Sequence, residues 1–184
     1  GTLADVGGFS LNYHKHIHTG EGGVLVTNDS DINEKLQLIR NHGEAVVKDK
    51  GVTKINNIVG YNFRLGEIEC AIGIEQLKKL SKFVKSRQEI ASKLNIGLSK
   101  LKGLQIPVVN SNSSHAYYVY PIILDINKLG VSRSEIVKAL IAEGVEGLME
   151  GYANIHMLPM YQEKIAYGSN GFPWSSDICK REVN

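Results

Sequence analysis

Residues 6–27, VGGFSLNYHKHIHTGEGGVLVT, decide the fold of this chain. The stretch predicts a strand over residues 6–11, and Gly7 and Gly8 inside it indicate a close approach to another backbone or a ligand. Residues 23–27, GVLVT, are short and β-branched, which predicts a second, buried strand. A histidine-rich segment and a glycine-rich turn separate the two. The order strand, turn, strand therefore places many polar side chains in one connection.

Downstream of this stretch the sequence predicts a helix, a loop and a longer helix. Residues 29–31 supply N-cap side chains for a helix with one apolar face, and Gly43 ends that helix. Residues 44–62 are polar and irregular and predict a long loop, which in a compact domain is usually functional or disordered. From Leu65 a helical spacing of apolar residues runs to a bend at Ser81 and continues beyond it.

The C-terminal part predicts one more strand and one more helix. Residues 117–124 form an apolar, strand-like run, and Ser132 and Glu135 have the spacing of a capping box in front of an apolar helix. Gly144 ends that helix. Strands that alternate with helices make mixed α/β the expected fold class, with a boundary between subdomains near residues 80–105.

The composition is that of a folded domain. A length of 184 residues fits one ordinary domain or two small ones, and 42% hydrophobic with 22% charged residues argues against a disordered chain. The formal net charge of +2 gives no indication of a nucleic-acid or membrane-surface partner. Cys70 and Cys179 fit free thiols in a reducing compartment, with one disulfide as the alternative. We therefore expect a cytoplasmic protein without membrane or nucleic-acid partners.

Lys15 lies between the first strand and the glycine-rich turn, where the backbone allows a ligand to approach closely. A partly buried lysine loses its proton more readily, and the free amine is the nucleophile that a Schiff base with an aldehyde cofactor requires. Ser10 is near enough in sequence to offer a hydroxyl to a phosphate. The alternative is an ordinary surface lysine in a loop.

Three further patterns have a functional and an ordinary interpretation. His14, His16 and His18 alternate and would share one face of an extended segment, as metal ligands can, but no carboxylate lies in the immediate run. Residues 20–23, GEGG, lack the lysine of a P-loop and the spacing of a dinucleotide site, which favours a tight turn. A basic run with interleaved apolar residues favours a solvated helix face over nucleic-acid binding. Its members are Lys78, Lys79, Lys82, Lys85, Arg87 and Lys93.

Residues 8–29 resemble the cofactor-lysine region of the DegT/StrS family, which are pyridoxal-phosphate-dependent aminotransferases of nucleotide-linked sugars with the type I (aspartate-aminotransferase-like) fold. Further segments resemble the same family in the same order. They are RNHG at 40–43, GYNFRL at 60–65, AIG at 71–73, HAYYVYP at 115–121 and HMLP at 156–159. The resemblance implies an α/β fold in which residues 1–84 are the C-terminal part of the cofactor-binding large domain. Residues 85–184 would then be a small domain, truncated at its C-terminus.

The resemblance also implies roles for individual residues. Lys15 matches the catalytic lysine, which carries pyridoxal 5'-phosphate as a Schiff base and moves the proton. Ser10 matches a serine that binds the cofactor phosphate. Asn62 matches an asparagine that reaches the phosphate in the neighbouring subunit, which implies a homodimer. The resemblance also implies that three further residues lie near the substrate: His16, Glu21 and His156.

The function that this resemblance implies is transfer of an amino group, from glutamate as donor, to a nucleotide-linked keto-sugar. The pathway would be surface-polysaccharide or related sugar biosynthesis, and no metal is expected. Some relatives that dehydrate the sugar have histidine in place of the lysine, so Lys15 argues against that activity. The alternatives are a non-catalytic, truncated remnant that dimerises or binds a partner without cofactor, and a metal-binding protein.

The resemblance further implies that part of the pocket lies outside this sequence. The family's aspartate that pairs with the pyridine nitrogen precedes the position of residue 1, so Asp5 does not match it. We therefore expect a piece of a longer protein that by itself binds the cofactor weakly and shows no transamination. His16 and His18 stand where the family commonly has asparagine and threonine.

Overall fold

The computed structural model describes residues 3–44 and 58–163. Strand β1 spans Gly7–Ser10 and strand β2 spans Gly23–Val26, and the two strands pair antiparallel. The register places Ser10 opposite Gly23. Both predicted strands are confirmed, and the polar connection between them starts and ends at the same edge of this two-stranded sheet.

Backbone hydrogen bonds continue past the last strand pair and close the connection between β1 and β2. The amide of Leu11 donates to the carbonyl oxygen of Gly22 at 2.8 Å, and the amide of Thr19 donates to the carbonyl oxygen of Leu11 at 3.0 Å. Residues 11–22, called the lysine loop below, are therefore closed at their base. The chain bends at residues 20–21 into β2, as the glycine-rich sequence predicts.

The prediction that β2 is buried is wrong. Val24 and Leu25 leave 42% and 58% of their surface exposed, because the sheet has only two strands in the described part of the chain. Among the described residues, the apolar side chains that are buried are Leu38 and Ala91.

Helix α1 spans Ser30–Arg40 and is capped as predicted. The carboxylate of Asp29 accepts hydrogen bonds from the amides of Asp31 and Ile32 at 2.8 and 2.9 Å, which satisfies two amides of the first turn. Gly43, at φ 70°, ends the helix region by donating its amide to the carbonyl oxygen of Leu38 at 2.8 Å.

An extended segment, residues 60–63, runs along the C-terminal end of α1. The amide of Tyr61 donates to the carbonyl oxygen of Ile39 at 2.7 Å, and the amide of His42 donates to the carbonyl oxygen of Tyr61 at 2.9 Å. A β-carbon at Gly60 would lie 1.9 Å from the backbone nitrogen of Gly43, so this crossing requires glycine. Most of the predicted loop at 44–62 lies outside the described residues.

The predicted long helix is two helices, α2 at Glu67–Leu77 and α3 at Leu80–Leu98. The break falls at residues 78–79, just before the predicted bend at Ser81. Gly73 of α2 passes close to the lysine loop, since a β-carbon there would lie 3.2 Å from the side-chain methyl of Thr19. A glycine thus lets α2 approach the loop that contains Lys15.

Strands β3, at Leu104–Gln105, and β4, at Ile123–Leu124, form a second short sheet. The predicted strand at 117–124 is confirmed only at its end, and the prediction for residues 117–122 is wrong. Tyr117 has φ 50°, which is incompatible with a strand, and its carbonyl oxygen accepts a hydrogen bond from a side chain instead of a neighbouring strand.

The chain divides after Ile123 into two compact units. The second unit contains α4 at Ile126–Leu129 and α5 at Arg133–Ala142. It also contains a 3-10 helix at Ile155–Met157 and α6 at Pro159–Gln162.

The capping box in front of α5 is confirmed. The hydroxyl of Ser132 accepts from the amide of Glu135 at 3.2 Å, and the carboxylate of Glu135 accepts from the Ser132 amide at 2.9 Å. Hydrogen bonds from the Ser132 hydroxyl and amide hold the pKa of the Glu135 carboxyl below its ordinary value. Gly144, at φ 87°, follows the helix as predicted.

Two other features bear on the expectations for compartment and membrane. Cys70 is a free thiol, whereas Cys179 lies outside the described residues. Within residues 3–44 and 58–163, no helix has both the length and the apolar character that a membrane crossing requires.

Two glycine variants test the packing of α2 against the lysine loop. Gly97 lies in the last turn of α3, where a new β-carbon meets open space, so Gly97→Ala should raise the free energy of unfolding by up to about 1 kcal/mol. Gly73→Ala should gain less, or lose stability, because its β-carbon would press on Thr19. Urea unfolding of both variants measures the difference. An equal gain at both positions would contradict the contact.

Candidate active site

Asn12 organises the lysine loop. Its side-chain amide donates to the carboxylate of Glu21 at 2.7 Å, and its side-chain oxygen accepts from the amide of His14 at 3.1 Å. Its backbone carbonyl oxygen accepts from the amide of Lys15 at 2.9 Å, and its own amide donates to the hydroxyl oxygen of Ser10 at 3.3 Å. One side chain therefore holds the turn before Lys15 against the glycine-rich end of the loop.

The glycine-rich end of the loop is closely packed. Thr19 is buried, and its hydroxyl donates to the carbonyl oxygen of Glu21 at 2.8 Å. A β-carbon on Gly22 would lie 2.7 Å from that hydroxyl oxygen and 3.0 Å from a methyl of Leu65. Only glycine fits at this position, which fixes the path by which the chain enters β2.

Lys15 is half-buried, and its amine lies over an aromatic ring. The Nζ atom is 4.3 Å from the centroid of the Tyr118 ring, a cation–π distance. The expectation of a partly buried lysine beside the glycine-rich turn agrees with this geometry. Ser10, the last residue of β1, is exposed.

His16 also contacts the segment around Tyr118. Its Nε2 atom donates to the carbonyl oxygen of Ala116 at 2.8 Å, and its ring centroid lies 6.1 Å from that of Tyr118. Lys15 and His16 together therefore dock the lysine loop on residues 115–120, called the aromatic segment below.

The three alternating histidines have separate partners. The ring of His14 lies against Tyr13 with centroids 3.8 Å apart, and Nδ1 of His18 accepts from the amide of Gly20 at 3.3 Å. In the described ranges of the chain, no group of three or more His, Cys, Asp or Glu side chains is placed to hold a metal ion.

The aromatic segment is fastened to α3 by side chains. Arg87 donates from Nη1 to the carbonyl oxygen of Tyr117 at 3.0 Å, and Gln88 donates from Nε2 to the carbonyl oxygen of His115 at 3.0 Å. The basic residue Arg87 is thus a structural anchor, and the interpretation of the basic run as a solvated helix face stays a prediction.

Tyr120 makes a further anchor. Its hydroxyl donates to the side-chain oxygen of Asn95 at 2.5 Å, and burial, with a smaller contribution from Tyr117, raises the pKa of this phenol above its ordinary value. Between α3 and residues 117–120 lies an open cavity of about 590 Å³ that His16 also lines.

The other two predicted site residues lie elsewhere. Asn62 is exposed on the segment beside α1, where it forms an isolated antiparallel bridge with Asn41. The side chain of Asn41 accepts a short hydrogen bond from Arg64. His156 lies in the 3-10 helix of the second unit, and its carbonyl oxygen accepts from Gln162 at 2.5 Å. The roles of both residues stay predictions.

The structure therefore places Lys15, His16 and Glu21 in the lysine loop and Ser10 at the end of β1 that leads into it. Sequence reasoning missed Asn12, Arg87 and Tyr118. For Asn12 a signal existed, because asparagine in a turn commonly bonds backbone groups two residues on. Nothing in the local sequence indicates that Tyr118 lies next to Lys15.

The whole chain, residues 1–184, matches the DegT/DnrJ/EryC1/StrS aminotransferase family. The chain belongs to this family. The resemblance stated from the motifs is thereby confirmed, and the mixed α/β class agrees with it. The chain spans about half the length of the curated relatives that it matches.

Three relatives illustrate the similarity. GDP-perosamine synthase of Vibrio cholerae is 33% identical over 189 residues, which cover 100% of this chain and 48% of that protein. Helicobacter pylori PseC, an aminotransferase involved in the biosynthesis of pseudoaminic acid, has a TM-score of 0.71 and 30% identity, covering 89% of this chain and 43% of that chain. The Escherichia coli GDP-4-keto-6-deoxy-D-mannose-3-dehydratase with bound hydrated PLP has a TM-score of 0.66 and 30% identity. The match covers 79% of this chain and 40% of that chain.

Asn12→Ala tests whether Asn12 holds the lysine loop. The variant removes the acceptor of the His14 amide and the donor to Glu21, so amides of residues 12–22 should exchange about twofold to tenfold faster. Hydrogen–deuterium exchange with mass spectrometry measures this. Asn33→Ala on the exposed side of α1 is the control and should leave the loop unchanged. Unaltered exchange in the Asn12 variant would refute the role of this side chain.

Proposed function

We propose that this protein is a pyridoxal-phosphate-dependent aminotransferase that acts on a nucleotide-linked keto-sugar, with glutamate as the amino donor. The single observation that carries the proposal is the half-buried Lys15 on the Asn12 turn, in a chain that belongs to this family. The sugar-related names of the relatives support the substrate class. We also propose that the protein is cytoplasmic.

The chemistry of the lysine loop fits the cofactor. A phosphorylated aldehyde needs an amine for its carbonyl carbon and hydrogen-bond donors for its phosphate. Lys15 supplies the amine, and Ser10 supplies one hydroxyl donor. Ser10 accepts a hydrogen bond from the Asn12 amide, so its own hydroxyl hydrogen stays available for a phosphate oxygen. Ser10 is also exposed at the end of β1, where a phosphate can reach it.

Individual residues of this chain would have separate roles in the reaction. Pyridoxal phosphate, when bound, supplies the electron sink. Lys15 would hold the cofactor through its amine, and the same amine would move a proton to or from the substrate carbon as general base and acid. Glu21 fixes Asn12 and so orients the turn that carries Lys15. The proposed substrate contacts remain His16, Glu21 and His156.

We also retain the type I fold and the homodimer as proposals. Residues 1–84 would belong to the cofactor-binding large domain and residues 85–184 to the small domain, with α3 running through the boundary. Asn62 would act on the cofactor phosphate of the partner subunit, which its exposure supports. The exposed apolar side chains of α2 support an apolar contact with another surface. They are Ile68, Ile72, Ile74 and Leu77.

A second candidate function is dehydration of the sugar. The likeness to a dehydratase structure with bound PLP favours it. We prefer transamination because the chain has lysine at position 15, where the family resemblance implies histidine in some relatives that dehydrate the sugar.

Covalent trapping tests the role of Lys15. Borohydride reduction of the complete protein in the presence of pyridoxal phosphate, followed by peptide mapping, should place the pyridoxyl group on Lys15, because its amine is the proposed Schiff-base nucleophile. Lys78, whose amine pairs with Glu75, is the internal comparison and should remain unlabelled at low cofactor concentration. A label found mainly on another lysine counts against the assignment.

Subunit mixing tests the role of Asn62. In the complete protein, Lys15→Ala and Asn62→Ala subunits should each be inactive, and a mixture that exchanges subunits should recover some activity because one of the two hybrid sites contains both residues. Exchange is verified independently with differently tagged subunits. Full exchange without recovery would mean that Asn62 does not act across the interface.

A further inference from the structure

Tyr118 is the partner of the Lys15 ammonium in this structure. The Nζ atom lies 4.3 Å from the centre of the Tyr118 ring, within the range in which the negative face of an aromatic ring attracts a cation. In residues 3–44 and 58–163 the ion pairs involve other lysine and arginine residues, and none involves Lys15. An aromatic ring, not a carboxylate, therefore faces this ammonium.

Side chains of α3 bond the backbone that carries Tyr118. Arg87 donates to the carbonyl oxygen of Tyr117, and Gln88 donates to the carbonyl oxygen of His115. Tyr117 has φ 50°, a left-handed conformation that a non-glycine residue keeps only when its surroundings fix it. The backbone just before Tyr118 is thus constrained, which directs the ring toward the lysine loop.

The lysine loop makes a second contact with the aromatic segment. His16, the neighbour of Lys15, donates to the carbonyl oxygen of Ala116 at 2.8 Å. Because His16 and Arg87 bond the carbonyl groups of the consecutive residues 116 and 117, the loop and α3 meet next to Tyr118. The distance between the Lys15 amine and the ring is therefore set by two elements that are far apart in sequence.

We propose that Tyr118 is a positioning residue for Lys15: its ring holds the Lys15 ammonium whenever the amine is not bonded to a cofactor, and Arg87 holds Tyr118 through the carbonyl of Tyr117. The contact keeps the released amine near the reacting atoms instead of in solvent. The catalytic consequence rests on the proposed function, but the contact itself does not. Tyr118 acts through Lys15 and needs no contact with substrate.

Competitive acetylation of the cofactor-free protein tests the contact. The ring attracts the Lys15 ammonium and holds it away from the reagent, so at neutral pH Tyr118→Leu should raise its labelling rate relative to Lys35 about twofold to fivefold. Tyr118→Phe keeps the ring and should leave the rate unchanged. Above the pH at which lysine amines lose their protons, about 10.4, the difference between variants should vanish. A purely steric effect of Tyr118 would persist there and would overturn the proposal.

Arg87 is tested in the same assay. Arg87→Ala frees the carbonyl of Tyr117 and should raise Lys15 labelling by a smaller factor than Tyr118→Leu. Lys85→Ala, on the neighbouring surface of α3, is the matched control and should have no effect. Equal rates in Arg87→Ala and the unmutated protein would remove Arg87 from the proposal.

A measurement on the unmutated protein keeps the proposal testable if Tyr118→Leu fails to fold. After reductive ¹³C-methylation, the Lys15 methyl resonance should show an upfield ring-current shift that Lys35 lacks. A Lys15 resonance at the position of Lys35 would overturn the contact. Because neither assay uses cofactor, a failed borohydride trap with successful acetylation and shift results would reject the proposed function and leave the Tyr118 contact standing.

Discussion

The antiparallel pairing of β1 with β2 is the constraint on which the candidate site depends. Its register sets Ser10 opposite Gly23, and the hydrogen bonds of Leu11 extend the ladder by one more step into the connection. Residues 11–22 are thereby forced into a closed loop, in which Asn12 reaches across to Glu21. Lys15 stands on a fixed turn for this reason, and not on an open surface loop.

Two further elements of the first unit meet this loop and limit its freedom. Gly73 brings α2 against Thr19, and Gly22 leaves room for Leu65 where the loop turns into β2. On the other side, the aromatic segment is held by α3 and presents Tyr118 to the Lys15 amine. Glycines at the contacts and hydrogen bonds to backbone carbonyls thus position a reactive side chain with few buried apolar groups.

Local signals were sufficient for the elements that local chemistry determines. The caps at Asp29 and Ser132, and the glycines at 43 and 144, predicted helix boundaries because each acts within a few residues of the chain. The strand predicted at 117–124 failed over residues 117–122, because Tyr117 has φ 50° and its carbonyl group is bound by a distant side chain of α3, which no local pattern reveals. The partner of Lys15 was unpredictable for the same reason, since Tyr118 lies about a hundred positions away. Family motifs predicted a role for Lys15, but they did not indicate which side chains contact it.

The central claim is that Lys15 is the group that binds pyridoxal phosphate, and a visible absorption titration tests it most directly. Adding pyridoxal phosphate to the complete protein should produce a visible band that is shifted to longer wavelength from that of the free cofactor and that saturates at one cofactor per chain. Lys15→Ala should abolish the band while its circular dichroism stays that of the unmutated protein. A band of equal intensity in Lys15→Ala, or no band in the unmutated protein, would contradict the account.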